Sequence, residues 1–224
     1  MQRLLREVAK RCPGGKLPDD YVVFDTETSG LSAFNDRVLQ YGFCIVRNRK
    51  AQDHFAQIVT HPGLQVPIAA SRVNNITTER MLREGIEHKP FLEEVVGLFK
   101  SCREGGCLLV GHNAIAFDVP MLEMEMQRNG IDFRFGENEV IDTGMLVKAS
   151  QIGMYFKEQY TLREFSREVH EVRGKIYWGI PSYCYKTYNL GRTGIKLEDA
   201  HDAGVDSYLT HLLLESLRAL ADRQ

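Results

Sequence analysis

Asp25 and Glu27 stand two residues apart in the stretch YVVFDTETSG, directly after the apolar residues Val22, Val23 and Phe24. Side chains two apart on a strand point to the same side. The two carboxylates therefore converge and Thr26 faces away. Like charges this close raise one another's pKa. A divalent cation between them relieves that repulsion, and their oxygen donors suit Mg²⁺ or Mn²⁺. A polar strand end entering a turn over Thr28 to Gly30 would be spelled the same way, so the pair alone leaves both readings open.

Two further stretches carry residues able to join such a site. In GHNAIAFDVPML (111–122), Asp118 opens a predicted helix with Pro120 in its first turn. Aspartate is also a favoured helix N-cap, so capping and ligation both fit. His112 and Asn113 fit either a site or a loop anchor. In HDAGVDSYLTHLLLESL (201–217), the wheel of a predicted helix puts Leu209, Leu213, Leu217 and Leu220 within about 60° of Asp206. Asp206 thus heads the apolar stripe, where a carboxylate needs a partner: a metal, a backbone donor or an arginine. Asp202 fits a charge that complements the helix dipole. His201, at the helix start, is structural or catalytic. Gly204 costs the helix about 1 kcal/mol relative to alanine, for a reason the sequence does not display.

The elements that position these residues follow from periodicity. Residues 21–26 read as a central buried strand. Residues 37–47 and 53–60 read as a hairpin around NRKAQ. A loop containing Pro62 and Pro67 follows. A helix is predicted over 88–103 from Phe91, Leu92, Val95, Phe99 and Cys102, with Pro90 in its first turn. Short strands are predicted at 107–110 and 139–142, and helices at 118–129, 143–150, 161–171 and from about Asp199 to Ala221. Hairpin strands followed by alternating strands and helices imply an α/β domain on a mixed sheet. Residues 1–20, with a short amphipathic helix at 4–11 and a PGGKLP linker, read as an N-terminal arm. Residues 21–224 read as one domain with an aromatic and basic insertion at about 171–198. Within 171–196 are five aromatics (Tyr177, Trp178, Tyr183, Tyr185, Tyr188) and five basic residues (Arg173, Lys175, Lys186, Arg192, Lys196) against one acid, Glu171. That composition fits a surface that stacks bases and neutralises phosphates, or a loop packed by its own aromatics.

The chain has 224 residues, 43% hydrophobic, with a formal charge of −2, so net charge gives no sign of nucleic-acid binding and local charge would have to supply it. Five cysteines, an odd number at irregular spacing, argue against structural zinc and for reduced thiols. The N-terminus lacks the apolar core of a signal peptide, and no run approaches the roughly 20 apolar residues of a membrane span. The expected location is cytoplasmic, with no membrane partner.

Taken in order, D-x-E on a strand, N-x4-D and H-x4-D resemble the DEDDh family of 3′–5′ exonucleases, which includes the proofreading subunit of bacterial replicative polymerase, ribonuclease T and oligoribonuclease. The matches are FDTETSGL, HNAIAFDVPML and HDAGVD, and the resemblance covers about residues 21–220. The sister group carries tyrosine where Asp202 stands. Two features depart from the pattern: the long 171–196 connection, and Gly204 in place of a larger apolar residue. A carboxylate pair at a strand end also occurs in haloacid dehalogenase-type phosphatases, whose motif is D-x-D; Glu27 departs from it.

The resemblance implies a ribonuclease H-like fold with a mixed five-stranded sheet flanked by helices. It implies two Mg²⁺ (or Mn²⁺) ions roughly 3.5–4 Å apart, held by Asp25, Glu27, Asp118 and Asp206, with His201 as general base. Asp142, in VIDT, falls at a supporting position. The expected partner is single-stranded nucleic acid with a free 3′ end, DNA ahead of RNA. Thr28, Leu31, Asn113, Phe117, Lys186 and Arg192 are the candidate substrate contacts. Leu31 and Phe34 either stack on the terminal base or pack beneath the turn. The alternatives are an exoribonuclease acting on RNA or short oligoribonucleotides, an idle nucleic-acid-binding module, and a metal phosphatase. The sequence stops soon after the last predicted helix, which is the expectation for a free-standing nuclease. A polymerase partner and a homodimer both remain open.

Overall fold

The apolar run that precedes Asp25 becomes the centre of a sheet. In a computed structural model of the chain, which describes residues 1–196 and 201–222, the strands are β1 (Tyr21–Thr28), β2 (Val38–Arg47), β3 (Lys50–Thr60), β4 (Ile86–Glu87), β5 (Leu108–Gly111) and β6 (Val140–Asp142). Their order is β4-β3-β2-β1-β5-β6, and β2 alone runs against its neighbours. The helices are α1 (Gln2–Arg11), α2 (Ile68–Asn74), α3 (Thr78–Glu84), α4 (His88–Glu104), α5 (Asp118–Arg128), α6 (Thr143–Ile152), α7 (Leu162–Glu171), the one-turn α8 (Tyr185–Thr187) and α9 (Ala203–Asp222).

β1 is buried on both faces, which explains its unbroken apolar start. Tyr21 and Val23 enter a core shared with α1, α6, α7 and α9. Val22 and Phe24 enter a second core against α4 and α5. The alternation carries Asp25 and Glu27 to the α9 side and Thr26 to the α5 side. The β2–β3 turn is tight: Asn48 and Arg49 both have positive φ, as a two-residue hairpin turn needs. Leu4, Leu5 and Val8 of α1 are buried in the first core.

The sheet has six strands, where five are expected from the sequence. The difference lies in 62–87, read as a loop, which folds into α2, α3 and the two-residue β4. Seven-residue helices are too short for a clear apolar period. Their signals are local instead: Thr77 caps α3 by accepting from the Arg80 N–H, and Asn75 ends α2 in the left-handed region.

α9 reaches the sheet through two glycines. A Cβ on Gly42 of β2 would overlap the Ala203 carbonyl. A Cβ on Gly204 would meet the Phe55 carbonyl carbon of β3 at 2.9 Å. Gly204 thus exchanges helix propensity for close backbone approach. Leu209, Leu213 and Leu217 are fully buried, as the wheel predicts, while Leu220 near the helix end is 40% exposed. The predicted start of this helix, Asp199, lies outside the described residues. All five cysteines are free, and four are buried. Among the described residues no helix is long and apolar enough to cross a membrane.

Candidate active site

The third motif is set beside the first by β2. Asp25 pairs with Gly42 across the β1–β2 ladder, and the gap left by that glycine admits the start of α9. Gln40, buried on the same strand, fixes the approach. Its Nε2 donates to Asp202 Oδ2 (2.9 Å) and its Oε1 accepts from the Ala203 N–H (3.1 Å). Asp202 also accepts from the N–H groups of Gly204 and Val205, so it caps α9 directly.

One turn later stands Asp206. Ligand atoms of Glu27, His201 and Asp206 all lie within 4.8 Å of one another. Asp206 Oδ2 accepts from the His201 N–H at 3.2 Å, whereas Oδ1 is buried with no hydrogen-bond partner. His201 is exposed and its φ is +69°. A non-glycine residue held there costs on the order of 1 kcal/mol, and such strain clusters at functional sites.

Asp118 arrives from the opposite layer. It is the first residue of α5; the N-cap position belongs to Phe117, which makes no side-chain cap bond. The capping explanation for Asp118 therefore fails. Its carboxylate instead accepts from Thr26 Oγ1 at 2.6 Å. Thr26 faces away from its neighbours, as alternation requires, and uses that orientation to hold Asp118.

The electrostatics follow from this packing. The Asp25 carboxyl is pushed well above the usual range, first by burial and then by the charges of Asp118, Asp206, Glu27 and Asp202. Burial, then Asp206 and Asp118, raises Glu27. Burial raises Asp118 against the Thr26 hydrogen bond. Burial also raises Asp206 against the His201 N–H. Among the described residues, no lysine or arginine pairs with any of the four. Carboxylates packed together without a counter-charge among the described residues, Asp118 buried and Asp206 with a bare oxygen, form a donor set that fits a divalent cation.

A cavity of about 390 Å³ adjoins Glu27 and is lined by Thr26, Thr28, Leu31, Val73, Asn74 and Phe117, among others. Leu31 is 87% exposed and Phe34 78% exposed, so neither packs beneath the turn. The loop that presents them is held from α5. Arg37 makes a two-pronged pair with buried Glu125 (2.7 and 2.9 Å). Arg128 donates to the carbonyls of Ala33, Phe34 and Asp36. Asn113, with a φ of +65°, sits on the loop before Asp118.

Lys186 and Arg192 are exposed on the 171–196 segment, and no contact among the described residues joins them to the carboxylates. That segment turns most of its aromatics inward: Trp178, Tyr183, Tyr185 and Tyr188 pack against the first core, while Tyr177 is 60% exposed. The stacking-platform reading is left with Tyr177 alone. Two supporting residues escaped the sequence reading. Gln40 had a visible signal, a polar residue inside the apolar strand VLQYGF. Asn74 had none, because it lies in the stretch read as a loop; it is buried, donates to the Thr28 carbonyl at 3.1 Å and backs the Glu27 carboxylate.

Known proteins are similar to this chain. The RNase T family model, described as an exonuclease, matches residues 22–171. The chain is 35% identical over 129 residues to a PolC-type DNA polymerase III of Caldanaerobacter subterraneus subsp. tengcongensis, which covers 57% of this chain and 8% of that polymerase. It is 29% identical over 199 residues to the PolC-type DNA polymerase III of Lacticaseibacillus paracasei, covering 88% and 11%. The chain thus spans about a tenth of the length of these relatives. The zinc-bound E. coli exonuclease I complex with single-stranded DNA superposes with a TM-score of 0.66 at 17% identity, over 91% of this chain and 41% of that one. At that identity the likeness speaks to the fold, and it matches the ribonuclease H-like architecture expected from the sequence.

Proposed function

The chain belongs to the RNase T exonuclease family, and from that premise we propose that it is a metal-dependent 3′–5′ exonuclease that shortens single-stranded nucleic acid from the 3′ end and releases nucleoside 5′-monophosphates. One observation carries the reading: three separate motifs converge, with Glu27, His201 and Asp206 within ligand reach of one another and Asp25 and Asp118 within their field. DNA is placed ahead of RNA because the relatives named above are DNA polymerases and the superposed exonuclease I holds single-stranded DNA.

Asp25, Glu27, Asp118 and Asp206 would hold two divalent cations, Mg²⁺ or Mn²⁺. Four carboxylates balance two doubly charged ions, and the bare Oδ1 of Asp206 is a ready ligand atom. When bound, such ions neutralise the scissile phosphate and acidify the attacking water. His201, exposed beside Glu27 and Asp206, takes the proton of that water as general base. Thr28, Leu31 and Phe117 seat the terminal nucleoside in the adjoining cavity, and Asn113 orients it from the loop before Asp118. The acidic cluster repels a polyanion, so Lys186 and Arg192 serve farther off, where they attract the strand's phosphates. Residues 21–224 form the exonuclease unit, and the 1–20 segment is packed into its first core through Leu4, Leu5 and Val8.

The test is hydrolysis of single-stranded DNA and RNA, measured side by side with Mg²⁺, with EDTA and with the Asp25→Ala variant. Mg²⁺-dependent release of 5′-mononucleotides, absent from both controls, is expected. Faster turnover of RNA would reassign the substrate. No turnover of either strand would leave a binding module.

A further inference from the structure

The inward face of segment 171–196 is built into the loop that carries Asn113 and Asp118. Trp178, the single tryptophan of the chain, lies between two imidazoles, its ring centroid 5.7 Å from that of His112 and 5.5 Å from that of His170. Thr143 Oγ1 donates to the Gly111 carbonyl at 3.1 Å, so at 2.9 Å it accepts from His112 Nδ1. The tautomer of His112 is thereby set, and its buried Nε2 lies against the Trp178 backbone. Asp142, fully buried, accepts the N–H groups of Asn113 (2.8 Å), Ile115 (3.1 Å) and Met145 (3.0 Å). His170 Nε2 of α7 stands 3.8 Å from its other face.

The indole closes this arrangement. A Cβ on Gly144 would meet the Asn113 nitrogen at 2.9 Å and Trp178 Cε3 at 3.3 Å, so the first turn of α6, the loop and the indole meet at one point. Trp178 is itself held by Cys184 Sγ, which donates to its carbonyl at 3.0 Å, and by Gln151, which donates to the Tyr177 carbonyl at 2.5 Å. The segment is therefore tied to α6 just before the indole and braced from within itself just after it.

We propose that Trp178 is a positioning residue: through His112, Asp142 and His170 it fixes the 111–118 loop, and with it Asn113 and Asp118. Segment 171–196 then supports the site from behind. The catalytic part of this inference rests on the exonuclease reading. The mechanical part, that the indole holds the loop, does not.

The experiment compares the full chain with Trp178→Ala, Trp178→Phe and His170→Ala by peptide-resolved hydrogen exchange without substrate, and by kcat and KM on single-stranded DNA. Trp178→Ala is expected to speed exchange over 111–118 about tenfold while peptides from β1 and α4 keep their protection, because only local opening is released. It is expected to lower kcat about tenfold with KM within about threefold, since displaced catalytic groups lose rate before binding. Trp178→Phe should restore most of both. Should Trp178→Ala fail to fold, His170→Ala must give the same loop-confined change. Unchanged exchange at 111–118, or acceleration spread equally over β1 and α4, overturns the proposal. Absence of hydrolysis by the wild-type chain would overturn the exonuclease reading and leave the exchange result to decide the loop's support.

Discussion

Replacing Asp118 by asparagine should make the metal-free protein more stable while abolishing turnover. The asparagine Oδ1 can still accept from Thr26 Oγ1, so the 2.6 Å hydrogen bond has a replacement. What disappears is the charge. Burial pushes the Asp118 carboxyl up to about 7, against roughly 4 for an ordinary aspartate. At pH 8 it is ionised in the fold at a penalty on the order of 2–4 kcal/mol, which its removal relieves. For a chain of this size that is about 5–10 °C in Tm. The pH dependence has a fixed sign. A carboxyl raised by folding stabilises the fold at low pH and loses that contribution as pH climbs through its folded value. The buried histidines, all held below their ordinary value, are neutral in the fold but still partly protonated in the unfolded chain at pH 7, so from pH 7 to 8 they oppose this loss by roughly 0.6 kcal/mol. Glu27, pushed up to about 9, by itself makes the metal-free fold weaken by about 1.4 kcal/mol per pH unit from pH 7 to 8. Calorimetry of wild type and Asp118→Asn in EDTA, at pH 7 and 8, reads both effects. A lower or unchanged Tm for Asp118→Asn at pH 8 would refute the idea that the uncompensated acids strain the site.

Other expectations follow from single contacts. Gly42→Ala forces a methyl into the Ala203 carbonyl; α9 must shift, with about 1–3 kcal/mol lost in denaturant melts and a larger proportional loss of turnover. Gln40→Ala leaves the Ala203 N–H and Asp202 with one partner fewer, which is expected to cost about 1–3 kcal/mol and to lower kcat, checked by urea titration and steady-state rates. Leu31→Ala removes an exposed cavity wall, so KM for single-stranded DNA should rise about three- to tenfold while Tm stays within about 1 °C; an equal fall in Tm would mark Leu31 as a packing residue.

Much of this site was legible because its signals are short-range. A strand that ends in D-x-E dictates convergence through period two alone, and the leucines behind Asp206 show which way it faces. The reason for Gly204 was hidden, because what matters is a backbone from β3 that is about 150 residues away in sequence. Asn74 was hidden for a related cause: its helix is seven residues long and buries Asn74 while leaving Ile68 and Val73 exposed, so nothing in the local pattern separates it from a loop. The 171–196 segment shows the converse. Its composition fitted both a surface for bases and phosphates and a loop packed by its own aromatics, and four of its five aromatics pack inward. Composition records what a segment contains and not which side it turns to solvent.

The most direct measurement is digestion of a single-stranded DNA labelled at its 5′ end, run beside the same strand labelled at its 3′ end, with Mg²⁺ and with Asp206→Asn as control. The account predicts a ladder that shortens one nucleotide at a time from the 5′-labelled strand and immediate release of a labelled mononucleotide from the other, both lost in the control. Internal fragments, release beginning at the 5′ end, or cleavage that survives Asp206→Asn would contradict it.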